Sequence, residues 1–319
     1  MTPEKLYVVT CISNPLRFKS RERLYRQFAE HMRESGVTLV TAEMTFGERP
    51  YQVTELGNPH HVQVRGHTEL WHKECLLNLG MQRVVQLYPD AKYLAWIDAD
   101  VEFVDRRGWA VETIQQLQHY QVVQLFQKCI DMDPQGVGFQ QHNGFAWSYA
   151  TGRPRGRGYG HWHPGFAWAI RRSALDSLGG LYDMAALGSG DHLMAWSFLG
   201  QGAKQLEGSG VIKLEGKMSP GYVGSVADWE RRAVQYLHRD LGYLPGMILH
   251  HWHGKKADRR YESRYTILSK YQFDPYTDLK RDTQGLWVLD MDGTERMINM
   301  RDGFRRYFRG RNEDSIDFV

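Results

Sequence analysis

The chain has 319 residues, 42% hydrophobic and 24% charged, which is enough for one large globular domain, or two small ones, with room for a deep pocket. A net charge of +3 and a pI near 8.6 are too mild to mark a nucleic-acid binder from overall charge. No long apolar run and no basic-then-apolar leader is seen, since Met1-Thr2-Pro3-Glu4-Lys5 runs directly into Leu6-Tyr7-Val8-Val9, so a cytoplasmic protein without a membrane span is expected.

Residues 6–12 are apolar and β-branched and predict a buried strand that stops at Ser13-Asn14-Pro15. Residues 21–35 carry Leu24, Phe28, Ala29 and Met32 on one helical face, with Gly36 as the stop. A second strand over 37–42 leads into Glu43. Residues 71–87 place Leu76, Leu77, Met81, Val84 and Val85 at helical spacing before a strand at 93–97. Strand, helix, strand, helix, strand in this rhythm predicts an α/β fold with a mainly parallel central sheet flanked by helices. Helix is expected at 109–117, strand at 121–126, a Gly- and Arg-rich loop over 136–160, and strand at 167–170 leading to a helix through Leu178. From Lys255 onward the chain becomes more charged, which suggests a main domain over 1–255 and a helical and hairpin extension over 256–319 packed on it, its last residues, 312–319, frayed. Cys11, Cys75 and Cys129 lie far apart without Cys-x-x-Cys spacing, so neither a disulfide framework nor a thiolate zinc site is indicated.

Ligands of such sheets gather at the carboxyl ends of the strands, where Asn14, Glu43, Asp98 and Asp100 all fall. The strand Tyr93-Leu94-Ala95-Trp96-Ile97 runs straight into Asp98-Ala99-Asp100, hard oxygen ligands at a sheet edge that could hold a divalent cation against a diphosphate. Two further pairs share the spacing. Asp131 and Asp133, beside Pro134 and Gly136, read as a solvated turn. Asp290-Met291-Asp292-Gly293-Thr294 resembles the nucleophile loop of the haloacid dehalogenase superfamily, but too little chain follows it for that fold. A hairpin is expected there instead, between 287–289 and 297–298.

Three features line up with Asp98 and Asp100. Gly179-Gly180-Leu181-Tyr182-Asp183 is followed by Leu187-Gly188-Ser189-Gly190-Asp191-His192, and later comes His250-His251-Trp252-His253-Gly254. This ordered set resembles the GT-A (Rossmann-like) nucleotide-sugar glycosyltransferases, most closely the family-2 and galactosyltransferase-like branches, over residues 6–255. The resemblance implies Asp100 as direct metal ligand, Asp98 as its partner toward the ribose or the metal's waters, and His253 completing the site, with His251 as runner-up. It implies Mn²⁺ or Mg²⁺, a nucleotide-diphosphate sugar with uridine as the base, and Asp191 as the general base of an inverting transfer. Asp191 also reads as an ordinary helix N-cap. In the family this segment often reads Gly-Glu-Asp, whereas here Gly190 replaces the glutamate. Asn14, Arg17 and Glu43 resemble positions that cradle base and ribose. Lys73 and Asn78 resemble positions on the helix before the aspartates, and the segment from Trp162 to Trp168 would help hold the sugar.

Basic residues mixed with aromatics could contact phosphates: Arg153, Arg155 and Arg157 in one loop, Arg305 and Arg306 near the C-terminus. The chain also resembles stand-alone bacteriophage glycosyltransferases, some of which act on hydroxymethylated pyrimidines in DNA. That implies a DNA acceptor, with a glycan or a protein side chain as the alternative. A nucleotidyltransferase or another metal-dependent phosphoryl enzyme also uses paired aspartates on an α/β sheet, and a non-catalytic sugar-nucleotide or DNA-binding module is a third reading.

Overall fold

The computed structural model describes residues 4–153, 162–208, 214, 216–259 and 263–317. The first apolar run forms β1 (Leu6–Ser13), and Val8 and Val9 are fully buried in it. The amphipathic α1 (Lys19–Glu34) follows, burying Leu24, Tyr25, Phe28 and Met32, and then β2 (Thr38–Phe46) and β3 (His61–Gly66). Helix α2 (Lys73–Leu87) precedes β4 (Tyr93–Ile97), all five of whose residues are buried, and a tight turn leads to β5 (Val101–Phe103). Next come α3 (Gly108–Gln116), β6 (Val122–Gln124), β7 (Lys128–Met132), β8 (Gly138–Asn143) and α4 (Phe145–Ala150). The chain continues through β9 (Ala167–Arg171), α5 (Arg172–Leu178), α6 (Gly190–Phe198), α7 (Gly202–Gln205), α8 (Pro220–Leu237), β10 (Leu241–Tyr243) and β11 (Met247–His250). It ends with α9 (Ser263–Lys270), α10 (Pro275–Asp278), β12 (Leu279–Arg281), β13 (Trp287–Leu289) and α11 (Glu295–Arg309).

The central sheet has seven strands in the order β10-β6-β9-β4-β1-β2-β3. Only β9 runs against the others, pairing antiparallel with both β4 and β6, so the sheet is mainly parallel and helices cover its faces. A second sheet, β5-β11-β7-β8, stands where β4 ends. In it β11 lies between β5 and β7 with His250 opposite both Val101 and Asp131. No described helix is long and apolar enough to cross a membrane, and the three cysteines are free.

Three expectations are corrected. The segment 136–160 is not one long loop, because Gly138–Asn143 pairs with β7 and Phe145–Ala150 is helical. Trp287–Leu289 pairs back onto Leu279–Arg281 rather than forward, and Met297 and Ile298 lie in α11, started by Thr294, whose hydroxyl accepts the amide of Met297. The extension is packed on the rest of the chain, and Tyr265, Phe273, Met300, Phe304 and Tyr307 share one apolar core with Val9 and Trp96. Finally, 312–317 is docked, not frayed. Asp314 accepts the amides of Lys19 and Ser20 at 2.9 and 2.8 Å, closing the start of α1, and the Trp252 indole donates to the Ser315 carbonyl at 2.6 Å. Gly254 permits this path: its φ is +86°, and a Cβ there would fall 2.2 Å from the Asn312 carbonyl oxygen.

Candidate functional site

The end of β4 and the tail of the chain meet in a cavity of about 2130 Å³ that takes its walls from both sheets, α1, α2, α6 and the extension. The β4–β5 turn is fixed by backbone bonds. The Asp98 amide donates to the Phe166 carbonyl at 2.8 Å, and the Asp100 carbonyl accepts the His251 amide at 2.9 Å, which ties the aspartates to β9 and β11.

Asp100, His250 and His253 bring one ligand atom each within 4.8 Å of one another. Asp100 Oδ2 lies 3.1 Å from His253 Nε2, and the two Nε2 atoms of His250 and His253 are 3.2 Å apart. Asp100 Oδ1 is buried without a hydrogen-bond partner among the described residues, 3.9 Å from His250 Nε2. An orphaned carboxylate oxygen beside two converging imidazole nitrogens fits a divalent cation, and the two imidazoles favour Mn²⁺ over Mg²⁺. Burial alone would raise the Asp100 carboxyl, but His253, His250 and Arg21 outweigh it and hold it well below the usual range. Burial and the nearby Arg259 push His253 down to about 4, so it presents a neutral ring at neutral pH.

The sequence reading missed His250 and preferred its neighbour. On β11 alternate residues face the same way, and Ile248 and His250 are the buried pair. His251 therefore points the other way, its Nε2 3.1 Å from Glu102, and is no part of the triad. The same periodicity overturns the reading of Asp131 as a solvated turn. It is 3% exposed on β7 and accepts from His142 at 2.6 Å, from His250 Nδ1 at 2.7 Å and from Lys256 at 2.5 Å. Those partners hold its carboxyl low despite burial. Asp133 does sit in the turn, accepting the amides of Gln135 and Val137.

Asp98 lines the cavity with its Oδ1 2.5 Å from Lys73 Nζ. Burial pushes the Asp98 carboxyl up against the pull of Lys73, while Lys73 is raised because Asp98, Asp191 and Glu74 outweigh its own burial. Asp191 stands in the first turn of α6, where Ser189, not Asp191, is the N-cap residue. Its Oδ1 accepts the His192 amide at 2.8 Å. Its Oδ2 has no hydrogen bond among the described residues and faces Gly165, at which an added Cβ would come within 2.7 Å of it.

The other expected contacts are placed differently. Asn14 lines the cavity, but its side chain is spent on its own loop, bonding the amide and carbonyl of Phe18 at 2.9 and 2.8 Å. Arg17 is exposed and outside the cavity lining. Glu43 is 2% exposed and accepts the amides of Gln52, Val53 and Thr54 and the Thr54 hydroxyl, so it organises that loop and does not line the cavity. Asn78 holds the 179–183 turn through the backbone of Leu181, and Trp168 is buried against Trp96 with its indole on the Pro164 carbonyl. Of the 162–168 segment, residues 162–166 line the cavity.

Among the basic residues, Arg305 is paired with Glu69 at 2.8 Å, Arg153 stacks over Trp147 at 4.0 Å, and Arg306 is exposed on α11. Arg155 and Arg157 lie outside the described residues. The tail adds what no motif signalled: Glu313, 4% exposed, pairs with Arg21 and Arg311, and its Oε2 lies 3.8 Å from His253 Nδ1.

No protein-family model matches the chain, and no curated protein matches it. Among solved structures it is similar to the catalytic domain of Drosophila β1,4-galactosyltransferase 7 in complex with xylobiose, at 12% identity over 60% of each chain and a TM-score of 0.32. It is similar to a glycosyltransferase involved in glycosylating the major capsid of PBCV-1, at 9% identity over 80% of this chain and 97% of that one, TM-score 0.32. A protein from Desulfovibrio desulfuricans G20 described as a nucleotide-diphospho-sugar transferase is matched over 96% of this chain and 99% of that one, at 10% identity and a TM-score of 0.32. The chain spans 60% of the length of the galactosyltransferase structures it is matched to.

Proposed function

We propose that the chain is a GT-A-type glycosyltransferase that moves a sugar from a nucleoside-diphosphate sugar to an acceptor hydroxyl with inversion, the nucleoside being uridine. The observation that carries this reading is the content of one cavity: the strand-end Asp98 and Asp100, the converging His250 and His253, and an Asp191 with one oxygen free. A Mn²⁺ held by Asp100, His250 and His253 would supply charge neutralisation to the departing diphosphate. Lys73, held at the cavity wall by Asp98, adds a second positive charge on the same side. Asp191 Oδ2 takes the proton of the acceptor hydroxyl as its oxygen bonds to the anomeric carbon. The bond from that carbon to the diphosphate oxygen breaks, and its electron pair leaves with the nucleoside diphosphate.

For a hydroxymethylated pyrimidine in DNA as the acceptor, the basic groups expected near the C-terminus offer an exposed cation, Arg306. The commitment of Arg305 to Glu69 weakens the basic rim that duplex binding needs.

The test is a panel of nucleotide sugars incubated with the protein and Mn²⁺. Release of free nucleoside diphosphate is the expected result, lost in Asp100→Ala, while Asp191→Asn retains donor binding without transfer. Cleavage to nucleoside monophosphate would replace this reading with a phosphoryl or nucleotidyl enzyme, and product of retained anomeric configuration would remove Asp191 as base.

A further inference from the structure

Glu74, in the first turn of α2, is 2% exposed and lines the cavity. Among the described residues its carboxyl makes no hydrogen bond or ion pair with another residue. A buried carboxyl without a partner, open to a cavity, is a group waiting for one.

Its position relative to α6 is specific. A Cβ built on Gly190 would fall 2.4 Å from Glu74 Cδ and 2.5 Å from Oε1, so the Glu74 carboxyl lies against the first turn of α6 and a side chain at 190 would displace it. Burial, with Asp191 and Asp98 adding to it and Lys73 opposing it, pushes Glu74 up to about 8, which leaves the carboxyl able to donate as well as accept a hydrogen bond at neutral pH. Beside it Asp191 Oδ2 can only accept from a hydroxyl. Trp71 and Trp196 line the same part of the cavity, with Trp71 against Gly188 just before α6 and Trp196 on α6 itself.

We propose that Glu74 is an acceptor-binding residue that works in tandem with Asp191, and that the acceptor is a saccharide presenting hydroxyls on adjacent carbons: Asp191 receives the attacking hydroxyl and Glu74 holds its neighbour. The proposal rests on the glycosyltransferase reading above. Two adjacent carboxyls of unlike bonding capacity beside indole rings match a vicinal diol on a sugar ring better than the single hydroxymethyl group of a modified base.

The experiment follows nucleoside diphosphate release from the donor that the panel identifies, with Mn²⁺, in the presence of methyl glycosides of glucose, galactose, mannose and xylose or of a hydroxymethylcytosine oligonucleotide. At least one glycoside is expected to accelerate release. Glu74→Ala should raise the KM for that glycoside by tenfold or more, whereas Glu74→Gln, which keeps both a hydrogen-bond donor and an acceptor, should stay within a few-fold of the unaltered protein. Gly190→Glu alone clashes with Glu74, whereas Glu74→Ala combined with Gly190→Glu moves the carboxyl to α6 and should restore the glycoside KM to within a few-fold. An unchanged glycoside KM in Glu74→Ala overturns the assignment, as does acceleration by the oligonucleotide and by no glycoside. If the unaltered protein hydrolyses no donor at all, the glycosyltransferase reading itself has failed. A single cooperative thermal unfolding transition in Glu74→Ala and Glu74→Gln shows that the variants are folded.

Discussion

The Nδ1 of His250 donates to Asp131 across 2.7 Å, and because a carboxylate can only accept, this bond fixes the proton on Nδ1 and turns Nε2 toward Asp100 and His253. Asp131 is thereby the residue that orients a ligand it never replaces. Asp131→Asn should weaken Mn²⁺ binding by roughly 10–100-fold without changing the ligand set. Titration of the protein with Mn²⁺, followed by the paramagnetic resonance of the free ion, measures it. Affinity equal to that of the unaltered protein would place Asp131 outside the site.

The ligand set makes a sharper discrimination. His250→Ala and Asp100→Ala should each abolish saturable Mn²⁺ binding, whereas His251→Ala should leave it intact, since His251 faces Glu102. The two imidazoles also lead us to expect Mn²⁺ to be bound more tightly than Mg²⁺, which competition between the ions reads directly.

Glu43 separates structure from binding. Removing its carboxylate in Glu43→Ala strands three loop amides and should cost about 3 kcal/mol of stability in denaturant unfolding. Since Glu43 does not line the cavity, the affinity for uridine diphosphate measured by calorimetry should move by less than about threefold.

The docked tail is a further stability element. Glu313 is buried between Arg21 and Arg311, so Glu313→Ala leaves two cations without their partner and should destabilise by about 3–5 kcal/mol. Breaking the exposed Glu22–Arg26 pair instead should change stability by less than about 1 kcal/mol. Thermal unfolding of the two variants side by side is the measurement.

Glu74 predicts a dependence on pH. Its carboxyl is raised from 4.5 to about 8 by burial, faced by Asp191 on α6, by Asp98 after β4 and by Lys73 on its own helix. Between those values the folded state holds a proton that the unfolded chain has released, so the contribution is most favourable below about pH 4.5 and is lost as pH rises toward 8. Glu74→Gln cannot lose that proton. Its stability relative to the unaltered protein should grow with pH across this window, by up to roughly 1.4 kcal/mol per pH unit. A constant difference across the window would show that Glu74 does not titrate there.

Much of the central sheet could be read in advance because its strands are short apolar runs between amphipathic helices. The expected strands at 6–12 and 93–97 match β1 and β4 nearly residue for residue. The second sheet was hidden because its strands are polar: Lys128–Met132 and Gly138–Asn143 carry charged and amide side chains that look like loop. Within it, alternation alone would have found His250 and Asp131, since Cys129 with Asp131 and Ile248 with His250 share faces. Asp100, His253 and Asp191 were legible as polar residues at strand and helix ends. Glu74 and Glu313 were not, because each becomes part of the site only through contacts with segments more than a hundred residues away in the chain.

Asp314 closes the first turn of α1 across sequence separations of 295 and 294, and Glu313 beside it braces Arg21 within the cavity. The two ends of the described chain are therefore stitched together at the place where the cation ligands converge. The cavity wall beside those ligands is complete only when residues 313–314 dock on residues 19–21, so closing it depends on contacts of very high sequence separation, the kind that carry the largest loop-closure cost in folding.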